Sequence, residues 1–155
     1  MQVAEYLAKS AVEFELIPHA ETCDAQRMAH SLHVPGRHVA KTVLLRSNDY
    51  EYAVAVLPAT MDIDFDCAAN ALEVDSVVLA SETEVAELCP NCEVGALPPF
   101  GSQMQMKTLC DERLLADDQI YFEGNTHHES IRLSSADYRN LEDPIVAMYS
   151  FETDR

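Results

Sequence analysis

Apolar positions along this chain switch repeatedly between helical and alternating spacing, so helices and strands must intermix. Residues 2–12 place Val3, Tyr6, Leu7 and Val12 on one side of a short helix, and residues 13–17 alternate charged and apolar side chains as a strand does. Thr22 or Asp24 caps a second helix, in which Ala25, Met28, Ala29 and Leu32 recur, and Pro35-Gly36 ends it. Residues 39–46 form a β-branched and aliphatic strand. Ser47-Asn48-Asp49 supplies a turn, and residues 51–57 return as the hairpin partner. Asp62 or Asp64 opens a helix carrying Phe65, Ala68, Ala69 and Leu72, and residues 76–80 make a short strand. Ser81-Glu82-Thr83-Glu84 reads as a capping box, in which serine and glutamate each satisfy a free N–H, and that helix ends before Pro90. Strands follow at 106–110, 119–123 and 129–133, and Ser134 or Ser135 caps a last helix through Leu141. The tail, 143–155, fits either a packed strand or a free end. This irregular mixture predicts an α+β fold around a mixed, mostly antiparallel sheet surrounded by helices. No repeat or linker breaks the 155 residues, so a single domain over 1–155 is expected, with its core at about 13–142.

Composition narrows the functions. Hydrophobic residues make up 48%, which is ordinary for a globular chain. Acids outnumber bases 27 to 10, for a net charge of -17. Such a chain lacks the broad basic face of a DNA binder, so any RNA contact must be local. No apolar run reaches membrane-spanning length, and the first 16 residues lack a leader pattern. A cytoplasmic location is therefore expected, with no membrane partner. Five cysteines, an odd number, suit free thiols in a reducing compartment. Acids are missing from two stretches, 25–48 and 94–110. The first carries Arg27, Arg37, Lys41, Arg46, His30, His33 and His38. Brought together, the two would make a neutral-to-positive pocket for an anionic ligand.

Four features bear on chemistry. Lys41 interrupts an apolar strand, where an unpaired ammonium is costly. Alternation sets it with Val39, Val43 and Leu45, opposite Ala40, Thr42, Leu44 and Arg46. It either projects into a cleft or snorkels to water. The segment Gly95-Ala96-Leu97-Pro98-Pro99-Phe100-Gly101 brackets a stiff proline pair with two glycines. It is either a rigid connection or a loop that offers the Gly95 and Ala96 N–H groups to a substrate oxygen, with Pro98 and Phe100 as walls. Gly124-Asn125-Thr126-His127-His128 is either a solvated turn or a ribose- and water-binding one. Cys89-Pro90-Asn91-Cys92 carries thiol-redox or zinc spacing, but no second ligand pair follows at suitable distance.

The segments HVAKTVLLR, VGALPPFG and YFEGNTHHESIRLSSADYRNL, in this order and spacing, resemble the YbaK/ProX family of aminoacyl-tRNA editing domains. That family is related to the inserted editing domain of bacterial prolyl-tRNA synthetases. The resemblance spans His19 to Leu141 and implies the same fold. It implies hydrolysis, in trans, of the ester between a wrong, small amino acid and the tRNA 3′ end, with tRNA(Pro) as the expected carrier. It implies catalytic roles for Lys41, Gly95 and Ala96. Substrate contacts are implied for Thr42, Leu97, Pro98, Pro99, Phe100, Gly101, Gly124, Asn125, Thr126 and His127. No cofactor or metal is expected. The expected partners are the acceptor end of an aminoacyl-tRNA and prolyl-tRNA synthetase. The attacking group is either water or a group on the substrate. Two alternatives remain: a non-catalytic module binding a nucleotide or aminoacyl-adenosine, and a redox or zinc protein at Cys89 and Cys92.

Overall fold

The computed structural model describes residues 2–19, 29, 32, 34–93 and 95–152. Its strands, in chain order, are β1 (Phe14–Pro18), β2 (Ala40–Ser47), β3 (Tyr52–Pro58), β4 (Met61–Ile63), β5 (Val77–Leu79), β6 (Lys107–Asp111), β7 (Gln119–Glu123), β8 (Glu129–Ser134), β9 (Ile145–Ala147) and β10 (Ser150–Glu152). Among the described residues the α-helices are α1 (Val3–Lys9), α2 (Phe65–Leu72), α3 (Glu82–Leu88) and α4 (Ser135–Glu142). The helix expected after Thr22 or Asp24 falls largely outside the described residues.

Helix starts follow the expected chemistry. Asp64 accepts the Cys67 N–H, Ser134 accepts that of Asp137, and Ser81 with Glu84 closes the full capping box. α2 and α4 end on Glu73 and Asp143 in the left-handed region, at φ +59° and +47°.

The expected single sheet is instead three. A five-stranded sheet runs β5-β2-β3-β6-β9, a three-stranded one β1-β8-β7, and β10 pairs with β4 alone. β6 joins β3 and β9 in parallel, whereas the other ladders are antiparallel. The fold is thus α+β with mixed, mostly antiparallel strands. Among the described residues the parallel bridge Val39–Tyr121, just before β2, links the two larger sheets.

β2 sorts its side chains as alternation requires. Ala40 and Leu44 enter a core with Leu97, Phe100 and Phe122, whereas Leu45 joins Leu57, Leu109 and Tyr149 on the opposite face. Phe100 is the hub of the first core, edge-on to Tyr6, Phe122 and Tyr138 at 5.4, 5.7 and 5.4 Å between ring centres. The tail packs as β9 and β10. Tyr149 pins it by donating its hydroxyl to the carbonyls of Val56 and Leu109 at 2.6 and 2.9 Å. β4, β9 and β10 have three residues each, too few to leave a periodic pattern.

Candidate active site

The Val39–Tyr121 bridge sets β2 and β7 side by side and pointing the same way. Two residues further along each strand lie Lys41 and Glu123. Val39 and Tyr121 share one apolar cluster, with Ala29, Leu32, Val34 and Ala59, so alternation carries Lys41 and Glu123 to that same face. Lys41 does not simply snorkel. Its Nζ donates to the Met61 carbonyl at 2.5 Å and lies 3.8 Å from Asp62 Oδ1. About a third of the side chain stays open to solvent, at 31%. β4 therefore holds the ammonium at the rim of the cluster.

The turn after β7 supplies the second half. Glu123 Oε2 contacts His127 Nδ1 at 2.8 Å, and both side chains are largely buried, at 6% and 12% exposure. This contact sets the carboxylate against the Nδ1 edge of the ring. The edge of the imidazole lies against Gly95. A Cβ at that glycine would stand 3.3 Å from His127 Cε1 and 3.6 Å from Nε2. Gly95 has φ +86°, the left-handed region that glycine enters freely. Glu93 ties the two segments together: its N–H donates to the Asn125 carbonyl at 2.8 Å, and its carboxylate accepts the His127 N–H at 3.2 Å.

Gly95 and His127 are in contact, the half-buried Thr126 belongs to the same turn, and Lys41 lies two residues past the bridge on the face that Val39 and Tyr121 share. Several other expected residues are placed elsewhere. The Ala96 N–H donates to the Glu93 carbonyl at 3.0 Å, so it is used inside the turn and does not face a substrate. Thr42 points to the opposite face of β2 from Lys41. Its buried Oγ1 has no hydrogen-bond partner among the described residues. Leu97 and Phe100 belong to the core. Pro99 is buried, and its carbonyl accepts the Tyr138 hydroxyl at 2.7 Å. The Gly101 N–H donates to Thr108 Oγ1 at 2.9 Å, and a Cβ there would come within 2.5 Å of that oxygen. Pro98 lines a separate cavity with Cys89, Cys92 and Met104. Gly124 is buried and closes the β7–β8 hairpin through its N–H to Glu129 at 3.0 Å. Asn125 is buried as a clamp: its Oδ1 caps the Val3 N–H at 2.9 Å and its Nδ2 meets Cys92 Sγ at 3.3 Å. The glycine–proline loop is rigid because its second half is core; only its first residues reach the site.

The two acid-free stretches do not produce an acid-free pocket. Glu93, Glu123 and Asp62 come from outside them and enter the site. Strand pairing and turns, which sequence distance does not register, bring these carboxylates in. Arg46 pairs with Glu84 at 3.0 Å and stacks on Tyr50 at 4.9 Å, and His38 pairs with Asp117 at 3.2 Å. Arg27, His30 and His33 lie outside the described residues. Sequence reasoning missed Glu123 and Asp62. The available signal for Glu123 was an acid ending a β-strand four residues before a histidine.

At the C-x-x-C motif both thiols are free. Burial pushes the Cys89 thiol up to about 11 and raises Cys92 as well. Among the described residues no group of three or more His, Cys, Asp or Glu is placed to hold a metal ion. Nor is any helix among them long and apolar enough to cross a membrane.

Comparison with known proteins bears on this geometry. The family model for the aminoacyl-tRNA editing domain matches residues 19–141. A multifunctional Ser/Thr-tRNA deacylase, ProXp-y of Escherichia coli K12, is 32% identical over 95 residues, which is 61% of this chain and 56% of that protein. The chain thus matches little more than half the length of that relative. Among solved structures, a hypothetical protein superposes with a TM-score of 0.89 at 21% identity, covering 97% of this chain and 100% of its own. A provisionally assigned trans-editing enzyme for prolyl tRNA synthetase superposes with a TM-score of 0.83 at 18% identity, covering 96% and 94%. At these identities the superpositions establish the shared fold.

Proposed function

The chain belongs to the aminoacyl-tRNA editing domain family, and on that footing we propose that it is a trans-acting deacylase of mischarged tRNA. The observation that supports the reading is the Glu123–His127 pair set against Gly95, with Lys41 two residues beyond the bridge that joins its strand to β7. Ester hydrolysis needs an attacking oxygen, stabilisation of the oxyanion that forms, and a grip on the substrate. His127 Nε2 accepts a proton from a water placed against Gly95, while Glu123 holds the ring in the matching tautomer. The Lys41 ammonium and the Gly95 N–H face the developing negative charge. Lys41 is held by a carbonyl and a half-exposed carboxylate. These contacts hold it in place.

The substrate is an aminoacyl-tRNA engaged mainly at its acceptor end. A net charge of -17 leaves little of the surface able to grip the tRNA body. The amino acid is small. The Ser/Thr-tRNA deacylase among the relatives supports a hydroxylated one, and tRNA(Pro) remains the carrier to test first, with prolyl-tRNA synthetase as the enzyme it would serve.

The test is turnover by the purified protein on a panel of Ala-, Cys-, Ser- and Thr-tRNAs, including Ala-, Cys- and Ser-tRNA(Pro). Release of at least one amino acid above the spontaneous rate, lost in His127→Ala and Glu123→Gln, is the expected result. No turnover across the panel, with tight binding to an aminoacyl-adenosine mimic, would replace the deacylase with a binding module.

A further inference from the structure

β4 and β10 form a small ribbon at the edge of the candidate site, and one exposed aromatic side chain on it has no place in the hydrolysis just described. In the ribbon's register Phe151 lies directly opposite Asp62. Opposed residues in an antiparallel pair set their Cβ atoms about 5 Å apart on the same face. Asp62 in turn lies 3.8 Å from the Lys41 ammonium. Phe151 therefore shares a face of the ribbon with Asp62, which is itself the lysine's partner, with 49% of its surface exposed. Its ribbon neighbours point the other way. Ser150 donates to Asp111 at 2.6 Å, and the Arg113 guanidinium meets Met61 Sδ at 3.5 Å.

An exposed phenyl ring costs solvation free energy unless something covers it. The charges around it select the occupant. Asp62 is on the same face, directly opposite, so a phosphodiester would be repelled there. A nucleobase fits: its flat face stacks on the ring, and its amine or its ribose hydroxyls donate to a carboxylate. We propose that Phe151 is the stacking platform for the terminal adenine of the tRNA, and that it sets the ester over Lys41. This rests on the deacylase reading for the identity of the nucleoside. The ribbon's place beside Lys41 supplies the continuity.

The chain contains no tryptophan, so Phe151→Trp installs a single fluorescent reporter at the platform. Titration of that variant with a non-hydrolysable aminoacyl-adenosine amide should quench its emission, and the same compound without the base should not. Phe151→Ala should raise KM for the aminoacyl-tRNA by about tenfold or more, as loss of one stacked base predicts. Its melting temperature should stay close to wild type. Phe151→Trp should keep the wild-type KM. Unchanged KM in Phe151→Ala together with no quenching would overturn the platform while leaving deacylation intact. Quenching by the adenosine compound without any turnover would uphold the platform and remove the deacylase reading.

Discussion

Three residues, Lys41, Gly95 and His127, carry the proposed chemistry, and each is held by a different device. Gly95 is held by backbone conformation. At φ +86° an alanine pays about 1–2 kcal/mol for the left-handed region. Its Cβ would also press on His127 Cε1 at 3.3 Å. Gly95→Ala should thus cut kcat by about tenfold or more by shifting the imidazole, while thermal unfolding moves only a few degrees. An unchanged kcat would remove His127 from the reaction. Thr42 offers a contrasting test. Its buried Oγ1 lacks a partner among the described residues, and an unmet hydroxyl costs about 1–3 kcal/mol. Thr42→Val should leave stability level or higher by about 1 kcal/mol in urea unfolding, with deacylation unaffected. A loss of activity would mean that the hydroxyl serves the substrate from the opposite face of β2.

At the scale of elements, the glycine–proline loop holds its shape because the aromatic core holds Phe100. Phe100→Ala should cost about 3–5 kcal/mol in chemical denaturation and loosen the Gly95 turn with it. A cost under about 1 kcal/mol would contradict its place at the hub. The start of α3 has an acid-sensitive tie. Glu84 is held down to about 2, first by the Ser81 N–H and then by the Tyr52 hydroxyl, with Arg46 helping, against an ordinary 4.5. A lowered folded value means that its stabilisation is complete above about pH 4.5 and fades as pH falls toward 2. The stability gap between wild type and Glu84→Gln should therefore be open at pH 7 and close to zero at pH 2. A gap that persists in acid would contradict this.

Most elements were legible from caps and spacing: Asp64, Ser81 and Ser134 start helices, and the 39–57 hairpin forms as its pattern demands. The three-residue strands β4, β9 and β10 were not legible, because pairing rather than periodicity defines them. The site was half legible. Lys41 stood out as a charge in an apolar strand, and Gly95 as a flexible point beside stiff prolines. Leu97, Phe100 and Gly101 shared that motif but serve packing, a distinction that only three-dimensional contacts make. Asp62 and Glu123 reach the site across strand pairings that local pattern does not encode.

At the scale of the whole molecule, the charge of -17 sets how the proposed tRNA substrate would approach. With few phosphate contacts the salt dependence should be shallow. KM for the aminoacyl-tRNA should hold steady or fall as salt rises from about 50 to about 200 mM, since screening relieves repulsion more than it breaks contacts. A steep rise in KM would reveal a basic grip that the charge distribution does not suggest. On the deacylase reading, ester cleavage depends on the Lys41 ammonium held by β4. The decisive experiment is single-turnover deacylation of the preferred aminoacyl-tRNA by wild type and Lys41→Met, at saturating enzyme. The rate of amino acid release should fall about a hundredfold or more, with the melting temperature within a few degrees of wild type. Release at the wild-type rate by a folded Lys41→Met protein would contradict it.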